Sequence, residues 1–163
     1  MSPAASGHQT GKRSPLFFEK TPGEGTRTSS SQPTRDDLWT QPRELPIHLT
    51  GDRHAATYCE DGRLFITFRC NSPKQSAEVR RFEGDWVGWV GTWEDLVRNR
   101  PGQYFVRIKD NTKGHDTAYP GVELLPDDTI VTTTSGHWEI GEQPYIIAAR
   151  FSLATLDALS QSQ

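Results

Sequence analysis

From Asp37 onward the chain breaks into short runs rich in Val, Ile, Thr, Tyr, Phe and Trp, separated by Gly, Pro, Asn and Asp. Such runs between turn formers predict an antiparallel all-β unit. Residues 53–70 read as a hairpin turning at Asp61-Gly62, and residues 117–133 as a second one turning at Asp127-Asp128. Further strands are expected in DWVGWVGTW (85–93), QYFVRIKD (103–110) and PYIIAARFSL (144–153). Helix is expected to be minor, in two places. Thr92 can cap a short turn with Asp95 three residues on, and Leu153, Leu156 and Leu159 recur every third residue in the tail.

The two hairpins superimpose as an internal repeat. Asp61 and Asp127 are 66 positions apart, and at that offset Leu64-Phe65-Ile66 falls on Ile130-Val131-Thr132. Each hairpin is followed by a third strand, and the first by a fourth. Antiparallel strands in tandem sets, four in the first copy and three in the second, resemble the blades of a β-propeller, whose sequence periods are about 40–50 residues. The expected architecture is therefore two blades of a partial β-propeller, at about 51–110 and 115–163, within a unit spanning 34–163. One small β-sandwich is the competing arrangement. A blade cannot bury its faces alone, so open faces imply completion by further blades or by self-association.

The same offset places Arg53 on Tyr119, each at the start of the first strand of its copy. First strands line the channel of a propeller, so the two side chains are expected to share one opening. Arginine offers a forked donor set matched to a carboxylate, and a guanidinium beside a phenol suits an anionic ligand. A plainer expectation is that Arg53 pairs with Asp52 or another acid at a strand end, and that Tyr119 before Pro120 is ordinary loop chemistry. The adjoining carboxylates Asp52 and Asp116 are included among the candidate substrate contacts. Trp86, Trp89 and Trp93 alternate along one strand and are expected to fill the core. Trp138 lies in a glycine-flanked loop and is the tryptophan expected to stack on a sugar.

Composition narrows the classes. Residues 1–33 carry Ser, Thr, Gly, Pro and charge without period, and read as a disordered or low-complexity leader. Only 33% of the 163 residues are hydrophobic, enough for a modest core, and the net charge of -3 supplies no basic field for nucleic acid. No apolar run reaches the roughly eighteen residues that suggest a membrane span, and no apolar segment follows Lys12 and Arg13 as in a signal peptide. The expectation is a soluble, cytoplasmic chain with neither nucleic acid nor membrane as partner. The first hairpin, read with Cys59 facing Leu64 and Cys70 opposite Arg53, separates the two cysteines by about 20 Å, too far for a disulfide. His54, His115 and His137 lack metal-ligand spacing, so no metal and no cofactor is expected.

Longer segments carry a family resemblance. AYPGVELLPDDTIVTTTSGHWEIGEQPYIIAARFSLATLDAL (118–159) resembles the last blade of the sialidase (neuraminidase, BNR/Asp-box) superfamily, and LWTQPRELPIHLTGDRHAATYCEDGRLFITFR (38–69) is similar to the blade before it. The resemblance covers roughly residues 36–160. It implies the C-terminal portion of a six-bladed propeller acting as a retaining exo-glycosidase on sialylated or related acidic glycans. Tyr119 would be the nucleophile, and Arg53 or Arg69 would clamp the substrate carboxylate. A phenol suits that role because an ionised carboxylate would be repelled by the acid group on the reacting carbon, and sialidases are the tyrosine exception among glycosidases.

The chain also departs from the family. PTRDDLWTQP (33–42) lacks the glycine of the Asp-box, nothing in residues 1–33 resembles the early blades that carry the acid/base aspartate and first arginine, and Glu139 is displaced from the tyrosine–glutamate pair. The chain alone is thus expected to be inactive. The alternatives are a non-catalytic carbohydrate-binding or protein-interaction segment, and a truncated frame without function.

Overall fold

The computed structural model describes residues 44–71, 77–114 and 116–161. The leader expected over 1–33, the degenerate motif at 33–42 and His115 lie outside the described residues. Residues 44–163 form one compact unit. After a 3₁₀ turn at Ile47–Leu49 come β1 (Gly51–Tyr58), β2 (Leu64–Cys70), α1 (Ala77–Arg80), β3 (Trp86–Gly91), α2 (Trp93–Val97) and β4 (Tyr104–Lys109). A second group follows: β5 (Ala118–Leu124), β6 (Ile130–Gly136), β7 (Tyr145–Phe151) and α3 (Leu153–Gln161). The first four strands make one antiparallel sheet in chain order, and the last three make another. Each sheet is a meander, the strand order of a propeller blade.

Side-chain alternation explains why β2 and β3 are buried along their whole length. Leu64, Ile66, Phe68 and Cys70 point to one face of the first sheet, where they pack with Leu49, Val79, Phe82, Val87 and Trp89. Phe65 points to the other, into a cluster with Val90, Ile130, Leu153 and Leu156 that joins the first sheet to the second and to α3. The ring of Phe65 meets Phe151 edge-on at 5.3 Å between centroids. Polar atoms in this interior are matched: the Trp86 indole donates to Thr67 Oγ1 at 2.7 Å, and that hydroxyl donates to the Val87 carbonyl at 3.1 Å. Burial of Trp86 and Trp89, and partial burial of Trp93, agree with their reading as core.

The two expected helices form, and the 3₁₀ turn at Ile47–Leu49 and α1 add to them. Thr92 and Asp95 form the reciprocal capping box that starts α2. In α3, Leu153 and Leu156 are buried while Leu159 is exposed, so the threefold leucine spacing turns off the apolar face after one step. Among the described residues no helix is long and apolar enough to cross a membrane.

The hairpin register needs one correction. Cys70 lies opposite Gly51, not Arg53, and Leu64 lies opposite Tyr58, not Cys59. Between the pairs Asp52–Arg69 and Ala55–Thr67, β1 advances three residues while β2 advances two. That extra residue is a β-bulge, which a strictly alternating reading does not contain. Both cysteines are buried free thiols.

Candidate functional site

A bulge recurs in the second hairpin. Between Ala118–Ser135 and Gly121–Thr133, β5 again advances three residues against two. Adding 66 to Asp52 and Ala55 gives Ala118 and Gly121, so the irregularities occupy equivalent places. Inside them Arg53 and Tyr119 both have positive φ, 62° and 34°. Such backbone is uncommon outside glycine and persists only where surrounding structure holds it.

The two irregularities bring their side chains together. The Arg53 guanidinium carbon lies 4.2 Å from the centroid of the Tyr119 ring, a cation–π arrangement. Its Nη1 donates to the Thr117 carbonyl at 2.9 Å, and Arg69 Nη1 donates to the same carbonyl at 3.3 Å. Arg69 also binds Asp52 through two donors, Nε at 2.9 Å and Nη2. At 9% exposure Arg69 is thus largely enclosed, and its charge is matched by a carboxylate. Asp52 pairs with Arg69 rather than with Arg53, so the plainer sequence expectation for Arg53 is replaced. Among the described residues Arg53 has no carboxylate partner, and Tyr119, 76% exposed, has no hydrogen bond from its hydroxyl.

Around this group the remaining candidates separate. Asp116 Oδ2 accepts from the His137 Nε2–H at 2.8 Å, on the side of Thr117 remote in sequence from Tyr119. His137 is itself fixed through its backbone, its N–H donating to Asn111 Oδ1 and its carbonyl accepting from Thr112. His54 as a residue is exposed, but its ring stacks on Phe68 at 4.6 Å between centroids and its Nε2 meets the Leu49 carbonyl. Desolvation of that ring lowers the His54 pKa from its ordinary value, against the opposing effects of the Leu49 carbonyl and Asp52. Among the described residues no group of three or more His, Cys, Asp and Glu side chains is placed to hold a metal ion.

Trp138 needs a correction. It is only 2% exposed, packs 6.0 Å from Trp86 between centroids, and donates its indole N–H to the Tyr145 carbonyl at 2.8 Å. The neighbouring glycine makes space instead of opening a loop: a Cβ on Gly136 would sit 2.7 Å from the Trp138 ring. Buried in this way, Trp138 cannot stack on a sugar held at the surface. Sequence reasoning also missed the Thr117 carbonyl that joins the two arginines. A backbone acceptor leaves no trace in residue type; the only signal was its position two residues before Tyr119.

Comparison with family models, with curated proteins and with solved structures returns no match. The sialidase resemblance therefore rests on the quoted segments alone.

Proposed function

We propose that Arg53 and Tyr119 form the recognition edge of a site for an acidic glycan, the guanidinium reading a carboxylate and the phenol ring lying against the sugar. The observation that carries this reading is the stack itself: an arginine without a carboxylate partner among the described residues, set against an exposed aromatic ring. Arg69 and Asp52 act behind it as a matched pair that holds the shared Thr117 carbonyl and, through it, the orientation of Arg53. The fork of Arg53 suits a planar carboxylate, and the ring supplies an apolar face for the sugar's C–H groups.

Binding without cleavage is favoured over hydrolysis. A tyrosine nucleophile at neutral pH needs a general base within hydrogen-bond reach, and the Tyr119 hydroxyl has no carboxylate there among the described residues. The second reading, a sialidase-like exo-glycosidase completed by groups from outside this unit, is favoured by one observation: the phenol is presented, largely exposed, on a positive-φ bulge.

Titration of the chain with free sialic acid and with its neutral methyl ester, followed by NMR, tests both readings. Binding of the acid but not the ester is expected, with Arg53→Ala weakening it about tenfold or more, equivalent to roughly 1.4 kcal/mol. Tyr119→Phe keeps the ring and is expected to bind. Equal affinity for the ester, or indifference to Arg53→Ala, would refute the carboxylate role. Release of a fluorogenic leaving group from a sialoside, lost in Tyr119→Phe, would instead establish cleavage.

A further inference from the structure

We infer that the chain forms a two-fold dimer by pairing the outer edge of β7 with the same edge of a second copy. The inference is independent of the proposed ligand and starts from the inequality of the two sheets. In the first, the third strand is covered by a fourth, and β3 is buried throughout. In the second, β7 holds the corresponding third place, pairs with β6 alone among the described residues, and is exposed along much of its length, Ile146 to 74%.

The composition of β7 leaves that edge able to accept a strand. Soluble proteins usually blunt an edge with lysine, proline, inward charge or a bulge. The sequence Tyr-Ile-Ile-Ala-Ala-Arg-Phe has one charge and no proline, and its seven consecutive pairs with β6 contain no register shift. The other sheet's outer strand is different. β4 carries Arg107 and Lys109, and its pairing with β3 is irregular at Trp86–Val87. One sheet's outer strand is thus protected and the other's is not.

Charge selects the occupant. Pairing β7 with β4 of another copy would set Arg150 beside Arg107 and Lys109, whose ion-pair partners Asp85 and Asp110 are already taken, so the pairing adds a third cation without adding a carboxylate to match it. Pairing β7 with itself, antiparallel about Ala148, places Ile146 opposite Arg150 in both directions. The two Arg150 residues then stand four positions apart, about 13 Å at roughly 3.3 Å per residue. That exceeds the Debye length of about 8 Å at physiological ionic strength, so their repulsion is screened. The arginine stem can lie along the partner's isoleucine. Such an interface is isologous and closed, and three strands from each copy make one continuous sheet of six.

Sedimentation equilibrium of the full chain tests the pairing. Twice the monomer mass is expected at roughly 100 µM, with dissociation on dilution. Ala148→Lys, a charge at the exposed centre of the strand, is expected to give monomer with an unchanged far-ultraviolet spectrum. Lys109→Ala, on the other edge, is expected to leave the dimer intact. If Ala148→Lys fails to fold, amide exchange of the unaltered chain decides: exchange of the β7 amides should slow as concentration rises. A monomer at roughly 100 µM, a dimer that survives Ala148→Lys, or β7 exchange independent of concentration would each overturn the inference. So would a β7 edge that stays bare until an added peptide strand occupies it.

Discussion

Thr67 shows how much one hydroxyl can organise. It is fully buried, accepts the indole N–H of Trp86 and donates to the Val87 carbonyl, so each polar atom in that part of the core has a partner. Thr67→Val keeps the shape and removes the acceptor, leaving a buried N–H unsatisfied. The expected cost is about 1–3 kcal/mol by urea denaturation. Combining it with Trp86→Phe, which removes the orphaned donor, should cost less than the sum of the two single changes. Residue-scale facts of this kind were only partly legible in the sequence. The tryptophan spacing announced core positions, but nothing in WVGWVGTW named Thr67 as their acceptor. Likewise, Arg53 and Tyr119 could be matched by offset, whereas their positive φ could not, because neither is a glycine.

Among the elements, α3 is tied to the first sheet at Asp157, which accepts hydrogen bonds from Arg63 and Tyr104. Arg63, beside the first hairpin turn, donates to both oxygens of Asp157 at 2.8 and 2.9 Å, and also reaches Asp61 and Gln103. The Tyr104 hydroxyl on β4 donates to Asp157 at 2.8 Å. Hydrogen bonds from Arg63 and then Tyr104 hold the Asp157 carboxyl below its ordinary pKa, while desolvation and the Asp157 contact raise that of the Tyr104 phenol. The signs define a pH window. A carboxyl depressed by folding contributes stability that is present above its unfolded pKa of about 3.9 and is lost as pH falls through the lower folded value. A phenol raised by folding contributes stability that is present below about pH 10 and is lost as pH rises. Asp157→Asn should therefore cost about 1–2 kcal/mol at neutral pH, discounted for partial exposure, and the deficit should shrink as the wild type is acidified below about pH 4. Denaturant melts across that range measure it. Strand positions, both tight turns and the α2 cap were readable because period-two alternation and turn residues act locally. The bulges were not, since they are set by how two strands meet.

For the whole molecule, the two sheets depend on one shared interior. Phe65 from the first sheet, Ile130 from the second and Leu153 and Leu156 from α3 belong to a single cluster. Phe65→Ala removes a fully buried ring at that seam and should cost about 3–5 kcal/mol. Because Trp86 and Trp89 lie in the first sheet and Trp138 follows β6 of the second, fluorescence reports on both. Residues 44–163 should lose both sheets in one transition, with fluorescence and circular dichroism melts coinciding before and after the substitution. Separate transitions would mean that the seam contributes little. At this scale the repeat made the all-β, two-sheet plan legible from the sequence, while the burial of Trp138 depended on a long-range contact with Trp86 that no local spacing encodes.

The paired bulges bear on how readily this surface could change its chemistry. A residue in a regular strand is committed by parity to one side or the other, and exchanging it disturbs whatever layer it belongs to. Positions 53 and 119 escape that commitment in both hairpins, so their side chains can be swapped while the strands on either side keep their rungs. Selection could exchange the two side chains there without having to rebuild the scaffold beneath them.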